Sequence, residues 1–191
     1  MIDQTISRVR RNHGLEHATI HVLSEKYRGF SAQGNSDHRG FSLNVYGNIK
    51  EDQVKGAVVE AYQRMKDGEH ELAVHPNCGT ALLTTATLAA LAAQTVFGLE
   101  YRRQGEKGNL ASVLFNALPS AILMVVLSII VSRPLGLQLQ SRFTTEGDLG
   151  TLEITDISAV SPSFATRIFH FLLAGGKAKY QPRAYRIKTK G

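Results

Sequence analysis

Two histidines and a glutamate lie close together near the start of the chain. The stretch from 12 to 23 reads NHGLEHATIHVL, in which His13, Glu16 and His17 form the pattern H-x-x-E-H. On a helix, side chains four residues apart project about 40° from each other, so both imidazoles can reach one metal ion, and Glu16 projects about 60° to the other side of His13. The pattern reverses H-E-x-x-H, in which two histidines hold zinc and the glutamate acts on water. It predicts a metal site beside a carboxylate base.

An amphipathic helix is expected to carry this pattern. His13 and Glu16 lie on or beside the face of that helix that the spacing predicts to be buried. Burying an unpaired carboxylate costs on the order of several kcal/mol, and a bound metal ion would remove that cost. The apolar residues that follow the helical spacing of three and four are Ile2, Ile6, Val9, Ile20, Leu23 and Tyr27.

A second group of metal-ligand types occurs further along the chain. His75 and Cys78 are three residues apart in HPNC, beside a proline, and a cysteine and a histidine near a turn are common zinc ligands. We therefore expect a divalent metal, most simply Zn²⁺, bound by His13, His17, His75 and Cys78. If all four bind, the site is closed and structural. If one does not, water can occupy the open position and the site is catalytic.

Several roles stay open at this point. His21 continues the spacing of four and is either a further ligand or a hydrogen-bonded helix residue. His70 is either an exposed residue or a ligand. Cys78 could be a small buried apolar residue. Glu16 could be a metal ligand or a salt-bridge partner and not a base.

The composition indicates anionic partners and excludes two kinds of cysteine-based structure. The chain has 191 residues, a net charge of +6 and one cysteine, which excludes a disulfide framework and a tetracysteine zinc site. The first residues, MIDQTISRVRRNHG, lack the apolar region and cleavage site of a signal peptide. We therefore expect the parts of the chain outside the membrane to remain in the cytoplasm.

Two long uncharged runs predict a transmembrane hairpin. They cover residues 79–98 and 109–132, and each is long enough to cross a hydrocarbon core of about 30 Å as a helix. The polar linker LEYRRQGEKG between them is short, which favours an antiparallel pair. The other interpretation is a buried helical hairpin in a soluble protein.

The remaining segments predict an α+β protein in three consecutive regions. Residues 1–78 are expected to form a small α/β metal-binding region with a helix, a β-hairpin (RGFSAQGNSDHRGFSLNVYGNI) and a second helix (EDQVKGAVVEAYQRMKDG). Residues 79–132 are the two-helix transmembrane hairpin. Residues 133–191 are expected to hold short strands in LGLQLQSRFTT and GTLEITDI, an interfacial helix in SPSFATRIFHFLLAGG, and the basic tail KAKYQPRAYRIKTKG.

Three motifs in this order resemble a known family. HGLEHATI, HPNCGT and LQSRFTTEGDLGTLEI, with membrane segments between the last two, resemble the YqhQ-like family of bacterial membrane proteins, whose function is unknown. The resemblance covers about residues 12–157 and implies a metal-dependent membrane enzyme. It carries the family's metal site onto His13, His17, His75 and Cys78, with Glu16 beside them. The chain differs from the family pattern at Asn77, where the family tends to have arginine.

These observations favour a membrane-anchored zinc hydrolase in which Glu16 is the general base. Peptide or amide bonds are the default substrate by analogy with the motif, and lipid-linked substrates also fit a site near the membrane. The first alternative is a non-catalytic scaffold or regulatory protein with a structural His/Cys metal site. The second is a basic peripheral module. The expected partners are the lipid bilayer and, through the basic tail, anionic lipid head groups. No signature of an RNA-binding module is present.

Overall fold

A computed structural model describes residues 2–105, 109–164, 166–168 and 182–191. The protein is an α+β structure with a four-stranded antiparallel sheet and two long apolar helices. Its residues divide into two compact units. The first unit joins residues 1–75 to residues 141–191, and the second is 76–140. The grouping therefore differs from three consecutive regions, because the C-terminal residues return to the N-terminal unit.

The first unit begins with helix α1, Ile2–Lys26, which confirms the helix predicted from the spacing. The buried part of α1 lies in its second half, around Leu15, Val22 and Leu23, and the first two residues of the predicted apolar face, Ile2 and Ile6, are exposed. A hairpin follows, with strands β1, Ser31–Asp37, and β2, Gly40–Tyr46. Strand β1 extends through GNSD, so residues 38 and 39 form the turn between the strands.

Helix α2, Glu51–Lys66, is also confirmed. Its first turn holds Glu51 and Asp52 and its last turn holds Arg64 and Lys66, as the helix dipole favours. A short 3₁₀ helix, His70–Ala73, lies between α2 and the HPNC motif. The core between α1, α2 and the sheet consists of closely packed aliphatic and aromatic side chains that include Leu15, Val22, Leu23, Phe41, Leu43, Val54, Val58, Met65 and Ile187.

The sheet has the order β1-β2-β4-β3, with β3 at Glu153–Val160 and β4 at Arg183–Lys190. Strand β3 confirms the strand predicted in GTLEITDI. Strand β4 corrects the interpretation of the basic tail, because its residues pair with both β2 and β3. Tyr185, Ile187 and Thr189 alternate into the core, and the basic residues between them face outward. The remainder of the tail and most of the predicted interfacial helix lie outside the described residues.

The segment that follows residue 140 lies against α1. The backbone N–H of Glu146 donates to the carbonyl of Arg10 at 3.0 Å, and the Arg10 guanidinium donates to the carbonyl of Thr145 at 3.0 Å. This approach requires Gly14, because a Cβ there would lie 2.3 Å from the Glu146 carbonyl oxygen. The glycine of H-G-L-E-H therefore leaves room for a neighbouring backbone.

The second unit consists of helices α3, Gly79–Gln104, and α4, Leu110–Leu139. At 26 and 30 residues, they measure about 39 and 45 Å. They pack closely where Gly136 meets Ala81, and the Thr85 and Ser132 hydroxyls are hydrogen-bonded at 2.8 Å. The strand predicted in LGLQLQSRFTT is wrong, because α4 continues to Leu139 and a π-helical turn covers Gln140–Thr144.

Both helices of the second unit are long and apolar enough to cross a membrane. Their most apolar windows are 0% and 17% buried, whereas a helical hairpin in the core of a soluble protein would be mostly buried. Length, composition and exposure together indicate membrane association.

Candidate metal centre

The candidate site is built on one face of α1. His13 and His17 are one helical turn apart, and their ring centroids are 4.4 Å apart in an edge-on arrangement. His17 is 2% exposed and His13 is partly buried. The spacing of four residues therefore brings the two imidazoles together, as the sequence predicted.

Backbone carbonyls fix the orientation of both rings. His13 Nδ1 lies 2.9 Å from the carbonyl oxygen of Thr144, and His17 Nδ1 lies 2.7 Å from that of Ala73. A carbonyl oxygen can only accept, so in each ring Nδ1 carries the proton and donates it. In a neutral ring this leaves the lone pair on Nε2, which is the arrangement that metal-binding histidines usually adopt.

His21 and His75 extend the group of imidazoles. His21 Nε2 donates to the carbonyl of Val74 at 2.9 Å. The His75 ring centroid lies 4.9 Å from that of His21 and 5.8 Å from that of His17. Consecutive carbonyls at residues 73 and 74 thus orient two histidines of α1, and His75 comes directly after them.

His75 is held in its neutral form. Burial, followed by the neighbouring His21 and His17, lowers the pKa of His75 to about 4. Burial disfavours the charged form of the His75 ring, and a positive charge on His21 or His17 would further disfavour one on His75. At neutral pH the ring is therefore an uncharged nitrogen donor.

Cys78 is buried and is the residue immediately before helix α3, in the second unit. His75, three residues earlier, belongs to the first unit. Imidazole nitrogens and a thiol are the donor types that zinc prefers.

Glu16 faces the hairpin. Its carboxylate accepts a hydrogen bond from the Ser36 hydroxyl at 2.6 Å, and its side chain lies over Gly34, where a Cβ would come within 2.0 Å of Oε1. Burial raises the pKa of Glu16 above its usual value, and the Ser36 hydrogen bond and the charge of His13 partly oppose that rise. The role of Glu16 as a base remains a prediction.

Four residues that support this group were not identified from the sequence. Thr144 and Ala73 contribute backbone carbonyls, which no side-chain type reveals, and Ser36 and Gly34 hold Glu16. Thr144 lies in the third motif of the resemblance, LQSRFTTEGDLG, and that motif is the sequence feature that could have identified it.

The other histidines occupy different positions. His38, in the hairpin turn, and His70, in the 3₁₀ helix, are both exposed. His170 lies outside the described residues.

The chain matches the model of one protein family, a domain of unknown function designated DUF6391, over residues 8–157. The chain belongs to this family. The match covers α1 from residue 8 onward, both helices of the second unit and most of β3. The DUF6391 match supports a bacterial domain of unknown function, and it does not confirm the YqhQ-like name suggested by the motifs.

One curated relative extends the comparison. An uncharacterised protein of the cyanobacterium Picosynechococcus is 37% identical, over 43% of this chain and 43% of the relative. The chain therefore aligns with less than half of that relative's length. No solved structure matches this DUF6391 chain.

Proposed function

We propose that the protein is a membrane-anchored, metal-dependent hydrolase with its ion, most simply Zn²⁺, at His13 and His17. The observation that carries the proposal is the pair of short contacts between ring nitrogens and backbone carbonyls. His13 Nδ1 and His17 Nδ1 lie 2.9 and 2.7 Å from carbonyl oxygens, which can only accept, so in a neutral ring the lone pair is on Nε2. Carbonyl partners of this kind raise the basicity of metal-binding imidazoles and fix their direction.

His75 and Cys78 are the further ligands in this proposal. Both follow the segment whose carbonyls orient the α1 histidines, and both are of types that bind zinc. When bound, the ion would supply Lewis acidity and lower the pKa of an attacking water to near neutrality. A thiolate and two or three neutral imidazoles fit that ion better than Mg²⁺ or Ca²⁺, which prefer oxygen donors.

Glu16 is the general base in this proposal. Its carboxylate is close enough to His13 for the charge of that ring to affect its pKa, and Ser36 holds one of its oxygens. A carboxyl group whose pKa is raised by burial accepts a proton from water more readily than an exposed one. Peptide or amide bonds are the proposed substrate class.

Helices α3 and α4 are the proposed membrane anchor, with the first unit in the cytoplasm. Their exposed apolar side chains would contact the acyl chains of the bilayer. The expected binding of anionic head groups by the C-terminal tail is weakly supported at residues 183–190, because basic side chains there already have acidic partners. There, Arg186, Lys188 and Lys190 pair with the carboxylates of Asp37, Asp156 and Glu153.

A structural metal site is the second candidate, and one observation favours it. The carbonyls that orient His13 and His17 come from segments 131 and 56 residues away along the chain. An ion at these rings would stabilise the contacts of α1 with both segments. Such a site contributes directly to folding free energy, whether or not the protein is an enzyme.

The two candidates are separated by comparing Glu16→Gln with His17→Ala in the full-length chain, purified in detergent. For a hydrolase, Glu16→Gln keeps its zinc, and hydrolysis of a fluorogenic peptide library falls by roughly 10² to 10⁴-fold. His17→Ala loses the zinc and melts at a lower temperature. The exposed His38 provides the control, since His38→Ala should change neither quantity.

If Glu16→Gln loses zinc as completely as His17→Ala, Glu16 is a ligand and the assignment of a base is wrong. If native protein binds zinc and hydrolyses none of the peptides, the structural candidate replaces the hydrolase. Zinc content is measured by elemental analysis, so it does not depend on knowing the substrate.

A further inference from the structure

We infer that the N-terminal half of α1 carries a binding site for a phosphate monoester group, in a cavity of about 630 Å³ that Arg8 and Arg11 line. Every residue that lines this cavity belongs to the first unit. Small-ligand sites commonly have volumes of about 300 to 1,000 Å³, so the cavity has the size of one. The inference does not depend on the proposed metal centre.

One face of α1 forms a wall of the cavity. The four residues of this wall follow the helical spacing of three and four and are Gln4, Ser7, Arg8 and Arg11. Side chains at this spacing project from the same side of a helix. At about 100° per residue, His13 lies about 180° from Gln4 around the helix axis. The cavity and the candidate metal centre therefore use opposite faces of α1.

The two arginines of the wall have no acidic partner in the described part of the chain. The Nε atoms of Arg8 and Arg11 are buried and have no hydrogen-bond partner among the described residues. None of the ion pairs formed by those residues includes either arginine. Arg10 on the same helix differs, because its guanidinium donates to the carbonyl of Thr145 and pairs with Glu146. Partly buried charges are normally paired, so Arg8 and Arg11 favour an anion from outside the chain.

The loop before β3 holds the Arg11 guanidinium in place. A Cβ at Gly150 would lie 2.8 Å from both Cζ and Nη2 of Arg11, so the guanidinium occupies the space that a side chain there would need. Gly150 has a φ of +51°, which glycine adopts readily. The nearby carboxylate of Asp148 accepts from the N–H of Gly150 at 2.8 Å. Arg11 is thus positioned by packing and not by a carboxylate, which preorganises it for an added anion.

The spacing of the arginines suits a tetrahedral anion. Residues three apart on a helix have Cβ atoms about 5 to 6 Å apart, so both guanidinium groups can reach one bound group. Each guanidinium has a planar fork that matches two phosphate oxygens. The hydroxyl of Ser7, on the same face, is a further donor type.

The charge of the lining favours a phosphate monoester over a carboxylate. A carboxylate has two oxygens and fills one fork, whereas a phosphate monoester has three terminal oxygens and a charge of about −1.5 to −2 near neutral pH. The acidic side chain in the lining is Asp3, which is exposed, so the charged side chains there have a net charge of +1. The phosphate can belong to a lipid head group or to a soluble molecule, and the two sources share this chemistry.

The test is a calorimetric titration of the full-length chain in non-ionic detergent at fixed ionic strength. The soluble probes are inorganic phosphate, glycerol 3-phosphate and acetate. Native protein should bind both phosphates saturably. It should bind acetate more weakly by roughly ten-fold or more, because acetate occupies one fork.

Three substitutions locate the anion. Arg8→Gln and Arg11→Gln each remove one fork and should weaken the binding of inorganic phosphate by roughly 10- to 100-fold. Arg8→Lys keeps the charge without the fork, so it should recover part of the affinity and not all of it. Arg28→Gln is the matched control, because Arg28 is exposed and does not line the cavity. This control should bind phosphate as native protein does.

A lipid probe distinguishes the two sources of the phosphate. Short-chain phosphatidic acid joins the group present in glycerol 3-phosphate to acyl chains. If the site binds a lipid head group in its acyl context, this probe binds more tightly than glycerol 3-phosphate by roughly ten-fold or more. If the site binds a soluble phosphate, the acyl chains add no affinity. In both cases Arg8→Gln weakens the binding.

Any of three outcomes would overturn the proposal. If native protein shows no saturable binding of inorganic phosphate, glycerol 3-phosphate or phosphatidic acid, water alone solvates the two guanidinium groups. If Arg8→Gln and Arg11→Gln bind phosphate as well as Arg28→Gln does, the anion lies elsewhere. If acetate binds as tightly as phosphate and Arg8→Lys binds as native protein does, the attraction is one of net charge without a phosphate site.

Discussion

Gly34→Ala tests whether the hairpin holds the Glu16 carboxylate in place. A Cβ at position 34 would lie 2.0 Å from Oε1, 2.1 Å from Cδ and 2.5 Å from Cγ of Glu16. The Glu16 side chain can avoid this overlap only by turning, which breaks its 2.6 Å hydrogen bond with Ser36. Glu16 is 4% exposed, so the displaced carboxyl group stays buried without that donor.

The expected loss of stability follows from that hydrogen bond. A hydrogen bond to a charged group contributes about 1.5 to 3 kcal/mol, and a buried group left without its partner costs a similar amount. In a protein of this size, such a loss lowers the melting temperature by roughly 3 to 12 °C. The measurement is thermal unfolding of the detergent-solubilised chain, followed by circular dichroism.

Gly56→Ala is the matched control. Gly56 is exposed on α2, and a Cβ there would meet no atom within 4 Å. Alanine is favoured over glycine inside a helix by about 1 kcal/mol, so this variant should be slightly stabilised. In a Glu16→Ala background the overlap disappears, and Gly34→Ala should then cost almost nothing. The reasoning is refuted if Gly34→Ala is as well tolerated as Gly56→Ala, or if its cost is the same in both backgrounds.

Three further results are expected. Gly14→Ala places a Cβ 2.3 Å from the backbone oxygen of Glu146, which cannot rotate away as a side chain could. The unfolding free energy should therefore fall by about 1 to 3 kcal/mol, and the affinity for zinc should fall with it. Denaturation and zinc titrations that match those of native protein would contradict this. Burial alone would raise the pKa of Asp37, but its hydrogen bonds with Arg186 and the charge of that residue hold it below its usual value. This pair therefore stabilises the fold above the unfolded-state pKa of Asp37 and loses its effect as pH falls through the lower folded-state value. Because the Asp37 side chain is half exposed, we expect less than about 1 kcal/mol, measured as the difference in melting temperature between native protein and Arg186→Gln at pH 7 and at pH 3. A chelator should lower the melting temperature of zinc-loaded protein. If free zinc is 1,000 times its Kd before the chelator is added, the loss corresponds to about 4 kcal/mol of unfolding free energy. A melting curve that does not change with chelator would argue against any metal in the first unit.

Local patterns predicted the elements that depend on neighbouring residues. The three-and-four spacing gave α1 and α2, and the alternation of Phe41, Leu43 and Val45 gave the hairpin. Strand β4 was missed because it is stabilised by pairing with β2 across about 140 residues of chain. Its alternation of Tyr185, Ile187 and Thr189 is visible in the sequence, but the basic residues between them resemble a solvated tail.

The candidate site was predictable only where side chains define it. Two histidines four residues apart on a helix must approach each other, so the His13 and His17 pair followed from spacing. Their orienting partners are backbone carbonyls of Thr144 and Ala73, and any residue type could supply them. The position of the Glu16 side chain could not be predicted from the sequence either, because it depends on the absence of a side chain at Gly34.

The order of segments in the first unit has a consequence for synthesis. A ribosome makes α1, the hairpin and α2 early, but the carbonyl that orients His13 belongs to residue 144, and the central strand β4 spans Arg183–Lys190. At about 5 to 20 residues per second, the chain between the end of β2 and the end of β4 takes about 7 to 30 seconds to synthesise, so the sheet waits that long for β4. During that interval α3 and α4 have already emerged. We therefore expect the proposed membrane insertion of the apolar helices to come before the proposed metal binding, because the histidines are still incompletely oriented at that stage.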